Sequence, residues 1–351
     1  MVIAVVFDTP YRGYRPEDHD RQCAEDLANP ALEADMEYQV GDALRRRGHE
    51  VTFLGIRDDV VEAMDWLRAH QVDVVFNAAE AFRGKDQLDY LVPAMLESEN
   101  IPFTGSPPQA LMVTRNKAIS KKILRHHGLS VADFRTYRAG EKVERDPGLR
   151  YPLIVKPLSS DASAGIAQAS IVRDTEQLGA RVDFVLERFG SAIVEEFVEG
   201  RELYVGVVGN GDGARLLPIL ELIFDKNSTA PEERIATVKA KWDDEYRARK
   251  GIKMQLARPL SQKALERIET TCRVAYRVLG LRDYARLDLR VDADDNVWVL
   301  EANANPYLSR DHEVAMAAER GGTSYEELIE TIASEAVRRA RGGRNGSAGG
   351  A

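Results

Sequence analysis

Two short alternating runs, Tyr284-Ala285-Arg286-Leu287-Asp288-Leu289-Arg290-Val291 and Val297-Trp298-Val299-Leu300-Glu301-Ala302-Asn303, carry the residues best suited to chemistry. Asp292-Ala293-Asp294-Asp295-Asn296 separates them, and this turn-rich connector predicts a β-hairpin. A turn centred on Asp294-Asp295 sets Asp288 opposite Glu301 and Arg286 opposite Asn303, with all four side chains on one face. Carboxylates directly across an antiparallel pair have Cβ atoms about 4.5–5.5 Å apart and repel unless a cation sits between them. Mg²⁺ takes oxygen ligands, commonly one or two carboxylates with substrate phosphates, and Asn303 adds a carbonyl oxygen. A nucleotide–metal site is one reading; a solvated, charged hairpin face is the other.

Other segments supply groups that a nucleotide would need. Tyr151-Pro152-Leu153-Ile154-Val155-Lys156-Pro157 reads as a buried strand ending in a lysine, followed by the small-residue run from Leu158 to Ile166. Small residues let backbone N–H groups approach phosphate oxygens, while Lys156 supplies a point charge. The run is neither GxxxxGK[ST] nor GxGxxG, and a structural turn would have the same composition. In Val194-Glu195-Glu196-Phe197-Val198-Glu199-Gly200-Arg201-Glu202, Glu195 and Glu202 suit the polar edge of an adenine and the hydroxyls of a ribose. Acids at a strand end are also ordinary solvated groups. Lys117, at the head of a helix, and Lys241 are single lysines that fit either phosphate contact or surface charge. The six histidines show no paired metal spacing, and no catalytic role follows for them.

The elements that must position these residues are of two kinds. Strand Val2–Phe7, helix Asp35–Arg47, strand Glu50–Leu54, helix Val60–His70 and strand Val72–Phe76 alternate as in a parallel sheet covered by helices. The charged stretch Ala79–Gln87 follows a strand's carboxyl end, where open α/β sheets place ligands. A helix from Thr114 through His127, strand Tyr151–Lys156, helix Thr175–Phe189 and strands Ser191–Val198, Glu202–Val208 and Ala214–Leu220 form a second, α+β unit. Helix Ser261–Leu279, the hairpin and a last helix Tyr325–Ala340 complete the chain.

The formal charge of −9 over 351 residues argues against a general phosphate-backbone binder, so no nucleic-acid partner is expected. Cys23 and Cys272 are far apart and lack CxxC spacing, which fits buried thiols in a reducing compartment. The start lacks a basic leader, and no run approaches about 18 apolar residues. A cytoplasmic protein without a membrane partner is expected.

In this order the motifs resemble the ATP-grasp superfamily, specifically enzymes similar to D-alanine:D-alanine ligase. The carrying residues are Asn116-Lys117, Ile154-Val155-Lys156-Pro157 with its Ser/Gly flap, the Val194–Glu202 run, Lys241, Ala285-Arg286-Leu287-Asp288 and Leu300-Glu301-Ala302-Asn303. The resemblance implies an α/β, three-domain ATP-grasp fold: an N-terminal parallel α/β domain (1–110), a central α+β lid (111–195) and a C-terminal α+β domain (196–340), with 341–351 a flexible tail. It implies ATP and two Mg²⁺, with Mn²⁺ an allowed substitute. Lys117, Lys156, Lys241 and Ser163 would meet phosphates, and Glu195, Glu196, Phe197, Val198 and Glu202 would line the base and ribose. Asp288, Glu301 and Asn303 would bind metal. Of the two expected catalytic residues, Arg286 would stabilise charge on the reacting carboxyl and its tetrahedral intermediate, and Ser163 with its flap would cover the γ-phosphate. The implied reaction is phosphoryl transfer from ATP to a carboxylate, then attack by an amine on the acyl phosphate. The partners are small carboxylate and amine substrates, and a homodimer is expected.

The chain departs from the family in places that bear on substrate. Asp8-Thr9-Pro10-Tyr11-Arg12-Gly13-Tyr14-Arg15 replaces a Gly-rich segment with an ammonium-binding glutamate. Ala162 and Trp242 replace a flap serine and a tyrosine, and Pro306-Tyr307-Leu308-Ser309-Arg310-Asp311 departs from the family's Gly-Met-Thr. The expectation is therefore a carboxylate–amine ligase acting on something other than two D-alanines. A true D-alanine:D-alanine ligase and a non-catalytic ATP-binding module are the alternatives.

Overall fold

The computed structural model describes residues 1–8, 35–56, 60–144, 146–160, 165–225 and 234–347. Strand β1 (Val2–Asp8) pairs in parallel with β2 (Glu50–Ile56) and β3 (Val74–Asn77), in the order β2-β1-β3. Helix α1 (Met36–Arg46) packs on this sheet because Met36, Val40, Ala43 and Leu44 share one face and are buried. Helices α2 (Val61–Ala69) and α3 (Leu91–Ser98) cover the other face through Met64, Leu67, Val92 and Leu96. The alternating pattern of the sequence has become the expected parallel sheet.

Helices α4 (Pro108–Arg115) and α5 (Lys117–His126) replace the single helix expected from Thr114 to His127. The break is chemical: Asn116 is extended, and its side chain accepts from Ile119 N at 3.1 Å, capping α5. Lys117 thus becomes the first residue of a helix, and its backbone N donates to Leu158 O (3.2 Å).

Strands β4 (Phe134–Arg138), β5 (Leu153–Pro157), β6 (Ile171–Val172) and β7 (Ser191–Glu196) form an antiparallel sheet ordered β4-β7-β5-β6. Helix α6 (Thr175–Phe189) is capped by Asp174 and closed by left-handed Gly190, and it buries Leu178, Val182 and Val185 on this sheet.

A larger sheet holds β8 (Arg201–Val208), β9 (Arg215–Leu216), β10 (Leu220–Ile223), β11 (Lys253–Leu256), β12 (Tyr284–Val291) and β13 (Val297–Asn303). Its main order is β11-β10-β8-β12-β13, with β9 on β8. The expected strand Ala214–Leu220 is interrupted between Leu216 and Leu220, where Pro218 offers no N–H to a ladder. Helices α7 (Val238–Trp242) and α8 (Asp244–Lys250) and strand β11 lie in a stretch whose pattern announced no element. Lys241 therefore sits in a short helix.

Helix α9 (Gln262–Val278) packs on the large sheet through Ala264, Ile268, Cys272 and Ala275. Helices α10 (Glu313–Arg320) and α11 (Tyr325–Ser347) close the fold. Positions 341–347, expected to belong to a flexible tail, continue α11 as helix through Ser347. Once its first turns are fixed by packing, each further residue adds a hydrogen bond.

Candidate active site

The hairpin β12–β13 forms as its sequence foretold, with Asp288 opposite Glu301 and Arg286 opposite Asn303. Its route to that register is less direct. Near the turn, Val291 pairs with Val297 and Leu289 with Val299, a register that would set Glu301 against Leu287 on the wrong face. A bulge at Leu300 inserts one residue and returns Glu301 and Asn303 to the face of Asp288. The turn is held by Asp292, whose carboxylate accepts from Asp294 N and Asn296 N (both 2.9 Å) and from Trp298 Nε1 (3.0 Å).

Cations from three elements meet these carboxylates. Arg286 grips Asp288 through Nε (2.7 Å) and a terminal nitrogen (3.0 Å), and its other arm reaches Glu313 Oε2 at 2.8 Å. Burial alone would lower the Arg286 pKa, but Asp288 and Glu313 hold it above its ordinary value, so the guanidinium stays charged. Lys117 Nζ lies 2.8 Å from Glu301 Oε1 and donates to Ser160 O (2.6 Å). Lys156, on β5, donates to Glu195 Oε2 at 2.9 Å. Lys121, one turn beyond Lys117 on α5, approaches Glu195 Oε1 at 3.3 Å.

Glu195 is 1% exposed. Burial would raise its pKa, yet Lys121 and Lys156 hold the carboxyl below its usual range. Its side chain thus orients two lysines. Glu196 lines the cleft, while its carboxylate is bound by Arg150 at 3.0 Å. Glu202 is held by Arg290 (2.8 Å) and by Tyr204 Oη (2.9 Å).

These groups wall a cleft between the four-stranded sheet and the large sheet, about 690 Å³ of empty space when its solvent-open mouth is counted. Ala132, Ile154, Ile166, Phe197, Ile235 and Leu300 make its apolar walls. Lys117, Lys156, Glu195, Glu196, Phe197, Val198, Glu202, Asp288 and Glu301 all line it. Arg286 and Asn303 stand beside it, on the hairpin face that carries Asp288 and Glu301. Ser163 lies outside the described residues, and the side chain of Lys241 is likewise outside them.

The donor set suits a hard cation. Two facing carboxylates and an amide are available, and Asn303 Nδ2 is buried with no hydrogen-bond partner among the described residues, so that side chain is not committed to a donor role. Among the described residues no group of three or more His, Cys, Asp or Glu is clustered for metal binding, so such an ion would need oxygens from Asn303 and from substrate as well. Sequence reading missed Lys121, Arg290, Tyr204 and Glu313. Arg290 was marked only by its alternation with Arg286 and Asp288.

The family model for the D-ala D-ala ligase C-terminus matches residues 123–334. Relatives span most of the chain. The uncharacterized protein y4sG of Sinorhizobium fredii is 33% identical over 76% of this chain and 75% of its own length. The D-alanine–D-alanine ligase of Bordetella petrii is 30% identical over 77% of this chain and 78% of its own.

The chain belongs to the D-alanine–D-alanine ligase family.

A crystal structure of the D-alanine–D-alanine ligase of Bacillus anthracis complexed with ATP superposes with a TM-score of 0.71 at 21% identity, covering 98% of this chain and 99% of that one. A second structure of the same enzyme gives 0.73. This likeness establishes the three-domain ATP-grasp architecture. D-alanine–D-alanine ligase family members are ADP-forming, ATP-dependent ligases that use Mg²⁺, and this chain is a ligase of that kind.

Proposed function

We propose that the protein forms an amide bond between a carboxylate and an amine, by way of an acyl phosphate, on substrates other than two D-alanines. One observation carries this reading: Arg286, Asp288, Glu301 and Asn303 share a single hairpin face at a cleft that Lys117 and Lys156 also line. Asp288, Glu301 and Asn303 would hold Mg²⁺, which supplies charge neutralisation on the transferring phosphoryl group when bound. Lys117 and Lys156 would meet phosphate oxygens, each already aimed by a carboxylate. Phe197, Val198, Ile154 and Ile235 supply apolar faces for a base, and Glu202 supplies a carboxylate for ribose hydroxyls. Arg286 would meet the negative charge that develops at the acyl centre. The four-stranded sheet, lying over the cleft, would exclude water from an acyl phosphate that water destroys.

Support for substrates other than D-alanine comes from the sequence around Pro306-Tyr307-Leu308, which departs from the family's Gly-Met-Thr. Tyr307 packs edge-on against His312 (4.7 Å between ring centres), and Glu313 follows on the catalytic arginine. Tyr307 in place of the family's small glycine, and the Glu313 carboxylate on Arg286, support an acceptor other than a small amino acid. The alternative, D-alanine:D-alanine ligation, is favoured by relatives such as the D-alanine–D-alanine ligase of Bordetella petrii.

ADP release with Mg²⁺-ATP, measured against D-alanine alone and against pools of D- and L-amino acids with hydroxylamine present, tests both readings. A hydroxamate from a pool other than D-alanine is expected. Turnover with D-alanine alone would establish the alternative.

A further inference from the structure

Arg290 lies on the face of β12 that carries Arg286 and Asp288, yet the ligase reading gives it no task. It is 3% exposed. The β12–β8 register sets it directly across from Glu202, whose Oε2 it binds at 2.8 Å. Its other contacts are backbone carbonyls from separate stretches of the cleft wall: Val198 O at 2.6 Å and Arg234 O at 2.5 Å. The guanidinium also stands 4.8 Å from the centre of the Phe197 ring. Its Nε is buried without a partner among the described residues.

A cation this deep is unfavourable unless its hydrogen bonds are well made, and an apolar side chain could fill the same volume at less cost. What the arginine adds is direction. Its planar fork fixes the Val198 carbonyl and the Glu202 carboxylate together, which neither lysine nor methionine can do. Tyr204 Oη occupies the other Glu202 oxygen at 2.9 Å, so the carboxylate is held from both ends.

We propose that Arg290 is a positioning residue that sets ribose recognition in the nucleotide pocket. It aims Glu202 at the sugar hydroxyls and locks the 197–198 stretch that faces the base. The proposal rests on the reading of the cleft as an ATP site. Arg290 touches no reacting atom; it acts through Glu202 and the hinge backbone.

The test is direct binding of ATP and of 2′-deoxy-ATP with Mg²⁺, by displacement of a fluorescent ATP analogue, without acid or amine. Wild-type protein is expected to favour ATP by about tenfold or more, the value of a hydrogen bond to a charged group. Arg290→Met should weaken ATP by a similar factor, barely change 2′-deoxy-ATP, and so erase the preference. Arg290→Lys, which keeps the charge but loses the fork, should fall between them and carries the test if the methionine variant does not fold.

Arg201→Met is the structural control. It opens a partly buried arginine–carboxylate contact between β8 and β10, Arg201 to Glu221 at 2.7 Å, neither residue lining the cleft. It should lower stability and leave the ribose preference intact. The proposal is overturned if the Arg290 variants keep the wild-type preference, if Arg201→Met erases it equally, or if wild-type protein binds both nucleotides alike. Failure of wild-type protein to bind either nucleotide would instead remove the ATP-site reading, and the proposal with it.

Discussion

Arg286 spans two carboxylates, Asp288 in a buried contact and Glu313 in a partly buried one. Its charge is therefore fixed in place before any substrate arrives, which is the condition under which a cation stabilises developing negative charge well. Arg286→Ala is expected to lower kcat by about 10²–10³ while nucleotide affinity changes only a few-fold. Single-turnover ADP release set beside ATP binding checks the split; equal losses in both would assign Arg286 to nucleotide binding instead. Glu37 presents the opposite case, an acid placed where its charge is unfavourable. Burial, with Asp35, Asp8 and Glu80 nearby, raises its carboxyl to about 7 from an ordinary 4.5. Between those pH values the folded chain holds a proton that the unfolded chain has released, so stability falls as pH rises through this window and stays reduced above it. Glu37→Gln should remove the fall and stabilise the protein at pH 8 by about 2 kcal/mol. Urea titrations at pH 5 and pH 8 would show it, and an unchanged pH dependence would rule the assignment out.

At the scale of elements, the hinge between β7 and β8 depends on one glycine. Gly200 has φ +149, and a Cβ there would fall 2.4 Å from Val291 O. Gly200→Ala must therefore push the 197–199 stretch away from the end of β12, which carries Arg290. A stability loss of about 1–3 kcal/mol, with weaker nucleotide binding, is expected. Gly211→Ala is the comparison, since Gly211 has φ +53 with nothing within 4 Å of its Cβ and lies away from the cleft. Equal effects on nucleotide affinity would show that strain alone explains the result. The same hinge shows what sequence could and could not reveal. The hairpin was legible because its partners are local, and Asp288 opposite Glu301 followed from alternation. The Leu300 bulge that delivers that pairing left a trace in the sequence, since buried Val299 and Ala302 are three apart rather than two. The Arg290–Glu202 pair was not legible, because it requires β12 to lie beside a strand more than 80 positions earlier, and no local pattern encodes that neighbour. Lys121 was hidden for the same reason: its partner Glu195 arrives on a different sheet.

The whole molecule divides by how its cores are shared. Val5 and Phe76 of the parallel sheet, Tyr204 and Leu220 of the large sheet, and Leu328, Ile329 and Ile332 of α11 belong to one continuous core. Asp283, fully buried, adds a polar tie to that body, accepting from Gly105 N (2.9 Å), Asn210 Nδ2 (2.8 Å) and a terminal Arg339 nitrogen (2.9 Å). The four-stranded sheet has its own core, built from Tyr137, Leu153, Val155, Leu178, Val182 and Val194. Its links to the body are small apolar contacts, such as Ile154 and Ile171 with Ile235, and charged contacts through α5. Elements joined by few apolar contacts open at lower free energy than the body they rest on. Without nucleotide, amides of β5 and β7 should therefore exchange with solvent faster than those of β1 and β12. On the proposed reading Mg²⁺-ATP sits between the two bodies and must be released before the four-stranded sheet can open. At a free concentration of 100 Kd it should raise the free energy of that opening by about 2.7 kcal/mol. Hydrogen exchange read by mass spectrometry, with and without Mg²⁺-ATP, measures both quantities. Slowing confined to β5 and β7 would match a lid closing on nucleotide, whereas equal slowing in β1 would mean that the three sheets unfold as one unit.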